Sequence, residues 1–252
     1  MNRIIFESEE RSADGHVRFG GSRARHVFSV LRAAPGDTVR MGELGGERFD
    51  SAVLVDVSAQ SCAARLGPPS PPLSRNPADL LLALPRPKCL RRLLPQIAAL
   101  GPARVFVTAA EKVEKAYWGA TALEPGECRE RLMDGLCQSG DTILPEIRIV
   151  RRLKPFVQDE IPSLYPDPRS RLIAHPEKSP LPLPRHDWRA SAAAPGRPLL
   201  IAVGPEGGWS EFEIGLFGDA GFSRISLGER TLRTDTAVVA LLSLAAEGRL
   251  TA

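Results

Sequence analysis

The chain has 252 residues, 43% of them hydrophobic, enough apolar material for one large core or two modest ones. Its 33 Lys and Arg against 30 Asp and Glu leave a formal charge of +3, too small a surplus to define an anionic partner alone. Four cysteines (Cys62, Cys89, Cys128, Cys137) form no C-x-x-C pair and lack histidines at ligand spacing, so no metal site or disulfide framework is expected.

The first apolar run is broken by Arg3, Glu7, Glu9 and Glu10, so no signal peptide is expected. Residues 1–66 read as strand-rich, with short apolar runs at Arg3 to Phe6, Thr38 to Met41, Phe49 to Val57 and Cys62 to Leu66. One short helix is predicted from Ala24 to Leu31, stopped by the turn Ala33-Ala34-Pro35-Gly36-Asp37. A small β-barrel-like domain follows from this pattern. Gly67-Pro68-Pro69-Ser70-Pro71-Pro72 reads as a stiff linker that cannot continue a sheet, which puts a domain boundary there, between residues 1–72 and 73–252.

From Asp79 strands and helices alternate, which argues for a mostly parallel sheet. Leu80 to Leu84 is an apolar strand, and Leu90, Leu93, Leu94, Ile97 and Leu100 keep helical spacing up to Gly101-Pro102, with Pro95 expected to kink that helix or shift its start. Arg104 to Thr108, Glu146 to Val150, Arg171 to Ala174 and Leu199 to Val203 are further strands, and Cys128 to Ser139 a further helix. Pro176 to Pro198 is expected to be a surface loop. Ser210 and Glu213 form a capping box opening a helix that runs to about Ala220. A strand at Ile225 to Leu227 leads to a last helix from near Thr234, whose apolar stretch Ala237 to Ala246 is too short to span a bilayer. A soluble, cytoplasmic protein with no membrane partner is therefore expected.

Two loops carry the chemistry. Gly204-Pro205-Glu206-Gly207-Gly208 follows one strand, and its glycines let backbone approach a ligand closely. Ser210 then opens a helix whose free N–H groups can meet polar ligand atoms. Alone, this loop is nearer a tight strand-to-helix turn than a site. There is no G-x-G-x-x-G after a strand and no G-x-x-x-x-G-K-[ST], which disfavours a dinucleotide site and a P-loop. The second loop, Thr231-Leu232-Arg233-Thr234-Asp235-Thr236, opens the last helix. A Thr or Asp there is ordinary capping, but Arg233 is a cation where the helix dipole disfavours one. Ligand contact explains it better, in combination with the first loop. Open α/β sheets place ligands at such strand ends. Residues 74–155 hold fourteen basic against nine acidic groups, with clusters at Lys88, Arg91 and Arg92 and at Arg148, Arg151, Arg152 and Lys154. Composition alone reads these as solvated faces.

These residues match a known family. Gly204 to Ser210 together with Leu227-Gly228-Glu229-Arg230-Thr231-Leu232-Arg233-Thr234-Asp235-Thr236-Ala237 resembles the RsmE family, SPOUT methyltransferases of uracil N3 in small-subunit ribosomal RNA. Arg3-Ile4-Ile5-Phe6, Arg25 to Arg32 with Pro35-Gly36-Asp37, and Gly140 to Ile147 extend the resemblance over the whole chain. It implies an α/β class: a PUA-like β-barrel followed by a SPOUT domain whose C-terminus forms a deep trefoil knot. A knot is rare by ordinary topology rules, and no periodicity predicts one. The knot would form an S-adenosylmethionine pocket from three loops, Ala174-His175-Pro176, Gly204-Pro205-Glu206-Gly207-Gly208, and Ser226 to Arg233 with Ser226, Leu227, Gly228, Arg230 and Leu232 touching the cofactor. A homodimer through the knot region is implied. Gln96 and Ala99 stand where the family commonly carries Lys and Glu, and Asp141 where Arg is commoner.

On this resemblance Arg233 would face the target base or its phosphate and stabilise charge developing on the ring. Glu206 is the weaker catalytic candidate, for a cofactor contact or proton removal, with a structural carboxylate equally open; His175 before a proline reads as structural. Arg23, Arg25, Arg32, Arg91 and Arg92 would grip ribosomal RNA or the small subunit. Two alternatives stand beside this reading: a SPOUT enzyme acting on another base or a ribose, and a non-catalytic RNA-binding protein that kept the fold.

Overall fold

Short alternating strands from Ile4 to Ser70 form one six-stranded sheet in the computed structural model, which describes residues 2–176 and 198–250. The strands are β1 (Ile4–Phe6), β2 (His16–Gly20), β3 (Thr38–Glu43), β4 (Arg48–Val57), β5 (Ser61–Arg65) and β6 (Pro69–Ser70). Their order is β1-β3-β4-β5-β2, with β6 on β4 and only the β1–β3 pair parallel. Period-two alternation turns Val17, Phe19, Met41, Phe49, Leu54 and Ala64 into a single barrel-like core. The helical stretch starts earlier than predicted, as α1 (Gly21–Arg25) and a π-helical turn His26–Leu31. Gly21, at φ 65°, reverses the chain directly after β2.

The expectation that Gly67 to Pro72 cannot join a sheet is corrected by β6. Pro69 pairs with Phe49 and Ser70 with Arg48. Proline is admitted because β6 is a two-residue edge that meets one neighbour. Gly67 makes the approach possible, since a Cβ there would stand 2.4 Å from the Ser51 carbonyl oxygen.

The chain divides into two compact units, residues 1–74 with 132–144 and residues 75–131 with 145–252. The return of 132–144 to the first unit is absent from the contiguous two-domain expectation. Backbone bonding explains it: the Asn2 and Arg3 N–H groups donate to the Cys137 carbonyl (2.8 and 3.0 Å), and Gly45 N–H to that of Thr142 (2.8 Å).

The second unit alternates β7 (Ala78–Ala83), α2 (Pro87–Leu100), β8 (Arg104–Thr108), the first half of α3 (Pro125–Ser139), whose end from Leu132 belongs to the first unit, and β9 (Glu146–Val150). A short helical stretch follows, α4 (Leu153–Pro155), a π-helical turn Phe156–Glu160 and α5 (Ile161–Leu164), where no helix is predicted. Then come β10 (Arg171–Ala174), β11 (Leu199–Val203), α6 (Glu211–Asp219), β12 (Ser223–Ile225) and α7 (Thr234–Leu250). The six strands are all parallel in the order β12-β10-β11-β7-β8-β9. The expected loop Pro176 to Pro198 lies, except for its end prolines, outside the described residues. Pro95 sits inside α2 without ending it, and Pro87 occupies the helix start, where a missing N–H costs nothing.

One face of the parallel sheet, with Leu81, Phe106, Ile173 and Leu200, buries Phe156, Tyr165, Trp209 and Phe217. Trp209 and Phe222 both meet the Phe217 ring edge-on at 4.9 Å between centroids. On α2 and α7, which pack on each other, Leu93, Leu94, Val238, Leu241 and Leu242 are fully buried, each contributing about 1.5–3 kcal/mol of transfer free energy. Asn76, just before β7, donates from Nδ2 to the carbonyls of Leu100 (3.1 Å) and Leu242 (2.9 Å), fastening both helices to the strand. Buried Asp79 accepts from Arg104 Nε (2.9 Å) and from the Tyr165 hydroxyl (2.7 Å). Burial, then the Asp79 charge, push the Tyr165 phenol well above its ordinary range.

Candidate functional site

Three neighbouring strands, β12, β10 and β11, end side by side, and the loops after them close around one cavity of about 520 Å³. That volume suits a small-molecule ligand. The strand after Phe222 ends at Ile225 rather than at the predicted Leu227. Ser226 pulls the chain out of the ladder, its Oγ accepting from Gly228 N–H (3.2 Å) and donating to the Gly228 carbonyl (3.1 Å). Gly228 sits at φ 108° and Gly208 at φ 69°, backbone that side chains resist. In the middle loop Gly208 N–H closes a turn on the Pro205 carbonyl (2.8 Å). A Cβ on Gly204 would meet the Trp209 backbone nitrogen at 3.2 Å and its indole at 3.3 Å, so a side chain there would crowd the ring and glycine lets strand end and ring lie together without a shift.

The capping box is present as predicted. Ser210 N–H donates to Glu213 Oε2 (2.8 Å) and Glu213 N–H to Ser210 Oγ (3.4 Å), which fixes the start of α6. Glu213 is buried, and its other oxygen accepts from Glu111 N–H (2.8 Å). Next to it Lys112 Nζ donates to the Gly207 carbonyl (2.9 Å) and, at 3.5 Å, to that of Trp209. The segment following β8 thereby braces the glycine loop.

Every residue expected at the cofactor lines this cavity: Ala174, His175 and Pro176 after β10; Gly204, Pro205, Glu206, Gly207 and Gly208 after β11; Ser226, Leu227, Gly228, Arg230 and Leu232 after β12. His175 is tied by its backbone N–H to the Ile225 carbonyl (3.0 Å). Arg233 lines it too, with 74% of its side chain exposed and its Nε 3.8 Å from Asp235. Glu206 takes the structural form left open by the sequence, accepting from Arg86 N–H through Oε1 (3.1 Å). Sequence reasoning missed Lys112 and gave Trp209 no role, although the end of β8 is a position where parallel sheets present ligand residues.

The expected RNA contacts are dispersed. Arg91 bonds Thr121 and pairs with Glu127 (3.3 Å), and Arg92 with Asp235 (2.9 Å). Arg23 is committed to Glu10 (2.5 Å) and to the Ile5 carbonyl (2.9 Å). Arg25 and Arg32 are exposed, Arg32 ending its helical turn at φ 52°. Gln96 and Ala99 are exposed on α2, whereas Asp141 is a buried turn carboxylate that accepts from Thr142 N–H at 2.7 Å.

An open parallel sheet with a glycine-lined cavity across adjacent strand ends is the architecture of an α/β ligand-binding enzyme. The comparisons place the class as RNA methyltransferases, for residues 72–246 match the RNA methyltransferase domain. The ribosomal RNA small subunit methyltransferase E of Treponema pallidum is 30% identical over 95% of this chain and 88% of its own length. The chain belongs to the ribosomal RNA small subunit methyltransferase E family, RsmE. In fold it is similar to the enzyme of that name from Neisseria gonorrhoeae, solved bound to S-adenosyl methionine (TM-score 0.74, 23% identity, 97% of this chain and 96% of that one). A Legionella pneumophila methyltransferase solved with bound SAM is also similar (TM-score 0.68, 25% identity, 97% and 96% coverage).

Proposed function

We propose that this protein methylates N3 of a uracil in small-subunit ribosomal RNA with S-adenosylmethionine as methyl donor. The observation that carries the reading is the single cavity shared by all three motif loops. The residues present fit the cofactor. Trp209 Nε1 is buried without a hydrogen-bond partner among the described residues, a donor awaiting an acceptor, and Gly204 keeps the adjoining space clear of a side chain. Backbone groups of the Ala174, Gly204 and Ser226 loops would hold adenine and ribose.

The cofactor supplies an electrophilic methyl group on sulfur. The three loops would hold it and the target base together, and alignment of two reactants is worth about 7–11 kcal/mol in favourable cases. Arg233 lies at the mouth, where its guanidinium stabilises negative charge on the uracil ring as the N3 proton leaves. Glu206 is the lesser candidate for taking that proton, since one of its oxygens already serves Arg86. Arg25 and Arg32 remain exposed for phosphate contact; Arg23, Arg91 and Arg92 would have to leave carboxylate partners to join them.

The first unit is proposed as a PUA-like RNA-binding barrel and the second as a SPOUT domain with a trefoil knot. The path from edge strand β12 to α7, back onto β7, β11 and α2, supports such threading, with Thr234 Oγ1 donating to the Gly204 carbonyl (3.4 Å). A homodimer through the knot region and cytoplasmic residence complete the proposal. No helix among the described residues is long and apolar enough to cross a membrane. Mass mapping of small-subunit RNA from a deletion strain, with and without the restored gene, tests the function. A missing N3-methyluridine that returns on complementation is expected. An intact methylation profile overturns the assignment, and loss of a different methylated nucleotide moves the enzyme to another target.

A further inference from the structure

The first unit contains a second cavity, of about 490 Å³, that the methyl-transfer reading does not use. Its walls are Arg3 of the N-terminal segment, Arg40 of β3, Arg48 and Asp50 of β4, Leu73, and Ser139 and Gly140 at the end of α3. Pleating puts these groups together. Met41 and Phe49 are paired across β3 and β4 and face the core, so their neighbours Arg40, Arg48 and Asp50 emerge on the outward face.

Arg3 forms the floor. It is 4% exposed, with Nη1 on the Met41 carbonyl (2.7 Å) and Nη2 on Asp50 Oδ1 (2.5 Å). Its Nε is buried and has no partner among the described residues. Gly140, at φ 80°, stands over that nitrogen, and even a Cβ there would come within 3.5 Å of it. Gly42 makes the space below, since its missing Cβ would lie 3.0 Å from the Arg3 side chain. Arg48 is fixed at the wall by Nε donating to the Pro71 carbonyl (2.7 Å).

The charge does not balance. Three guanidiniums line the cavity against one carboxylate, Asp50, which is 55% exposed and already shared with Arg3. A surplus of guanidinium in a concavity is the arrangement that binds phosphate, because the planar fork meets two oxygens at once. We propose that this cavity is a phosphodiester site for single-stranded RNA, gripped by Arg40 and Arg48 over the floor made by Arg3 and tuned by Asp50. The proposal rests on the RNA-methyltransferase reading for the identity of the anion. It places the first unit's phosphate grip on its β3–β4 face, apart from the Arg23 to Arg32 helical stretch.

The test is fluorescence anisotropy of a labelled single-stranded small-subunit RNA fragment on the full chain, across a salt series, with S-adenosylmethionine affinity measured by calorimetry in parallel. Arg40→Ala with Arg48→Ala is expected to weaken RNA binding about tenfold or more. It should flatten the salt slope by about 1 to 1.5, the share of two phosphate contacts on a single strand. Asp50→Asn should act oppositely and tighten RNA binding several-fold, which damage to the fold cannot mimic. Cofactor affinity should be unchanged in both. Wild type that binds RNA with an affinity and slope untouched by these substitutions overturns the site alone. Wild type that binds cofactor but no RNA overturns the site together with the RNA reading.

Discussion

Lys112 Nζ donates to the Gly207 carbonyl at 2.9 Å, joining the end of β8 to the glycine loop across 95 positions of sequence. The bond holds the backbone of one cavity wall, and the aliphatic stem of Lys112 packs against Gly207, where an added Cβ would come within 3.1 Å of the Lys112 Cδ. Lys112→Met keeps the stem and removes the donor. It is expected to weaken S-adenosylmethionine binding about fivefold in calorimetry, the worth of roughly 1 kcal/mol for one hydrogen bond. Lys112→Arg should restore most of the loss, and an unchanged affinity in the Met variant would show that the loop holds itself.

Arg233 stands exposed at the cavity mouth, with Asp235 at 3.8 Å. Arg233→Ala is expected to cut methyl transfer to RNA by about a hundredfold or more, the usual loss for a group acting on developing charge. Cofactor affinity should stay within about twofold. Radiolabelled methyl transfer measured beside calorimetry separates the two, and a parallel loss of both would make Arg233 a cofactor ligand instead.

Asp79, 1% exposed, satisfies Arg104 and Tyr165 together. Asp79→Ala leaves a guanidinium and a hydroxyl without their acceptor and is expected to cost about 3 kcal/mol in denaturant unfolding. Tyr165→Phe should cost about 1 kcal/mol, because only one hydrogen bond is lost. Equal costs for the two variants would mean that the charge pair is irrelevant.

The hydrogen bond from Arg3 holds the Asp50 carboxyl below the ordinary carboxylate range. A carboxyl with a folded pKa below its unfolded one, about 3.9, contributes stability above that pH. The contribution disappears as pH falls toward the folded value. Wild type should therefore lose stability more steeply than Asp50→Asn below about pH 4, and the two slopes should coincide above about pH 6. Parallel melting curves at all pH values would remove Asp50 from the acid response.

The strands at the centre of the parallel sheet were legible because burial on both faces demands continuous apolar runs, as at Leu80 to Ala83 and Leu199 to Val203. The glycine and Arg233 loops were legible because their residue types are costly without a purpose. The helical stretch from Leu153 to Leu164 escaped notice: Pro155 and Pro162 interrupt it, and it is wound partly as a π-helical turn. β2 carries alternating Val17 and Phe19 and could have been read from that period. The end of β8 marks the neighbourhood of Lys112 as a ligand position, but its bond to Gly207 depends on a carbonyl brought near by tertiary pairing. The linker at Gly67 to Pro72 misled for the same reason. Its prolines argue against a central strand, but only the location of β4 makes an edge available to them.

Apart from Lys112, every residue around the cavity of the second unit lies between Ala174 and Ala237. During synthesis, then, the first two-thirds of the chain can leave the ribosome before this cavity exists. The cavity is assembled almost wholly from the last third, when β10, β11, β12 and α7 take their places and Asn76 secures Leu242. Ligand occupancy of that cavity would therefore report translation that has run nearly to its end, and a message truncated before Ala237 encodes a product whose cavity is incomplete.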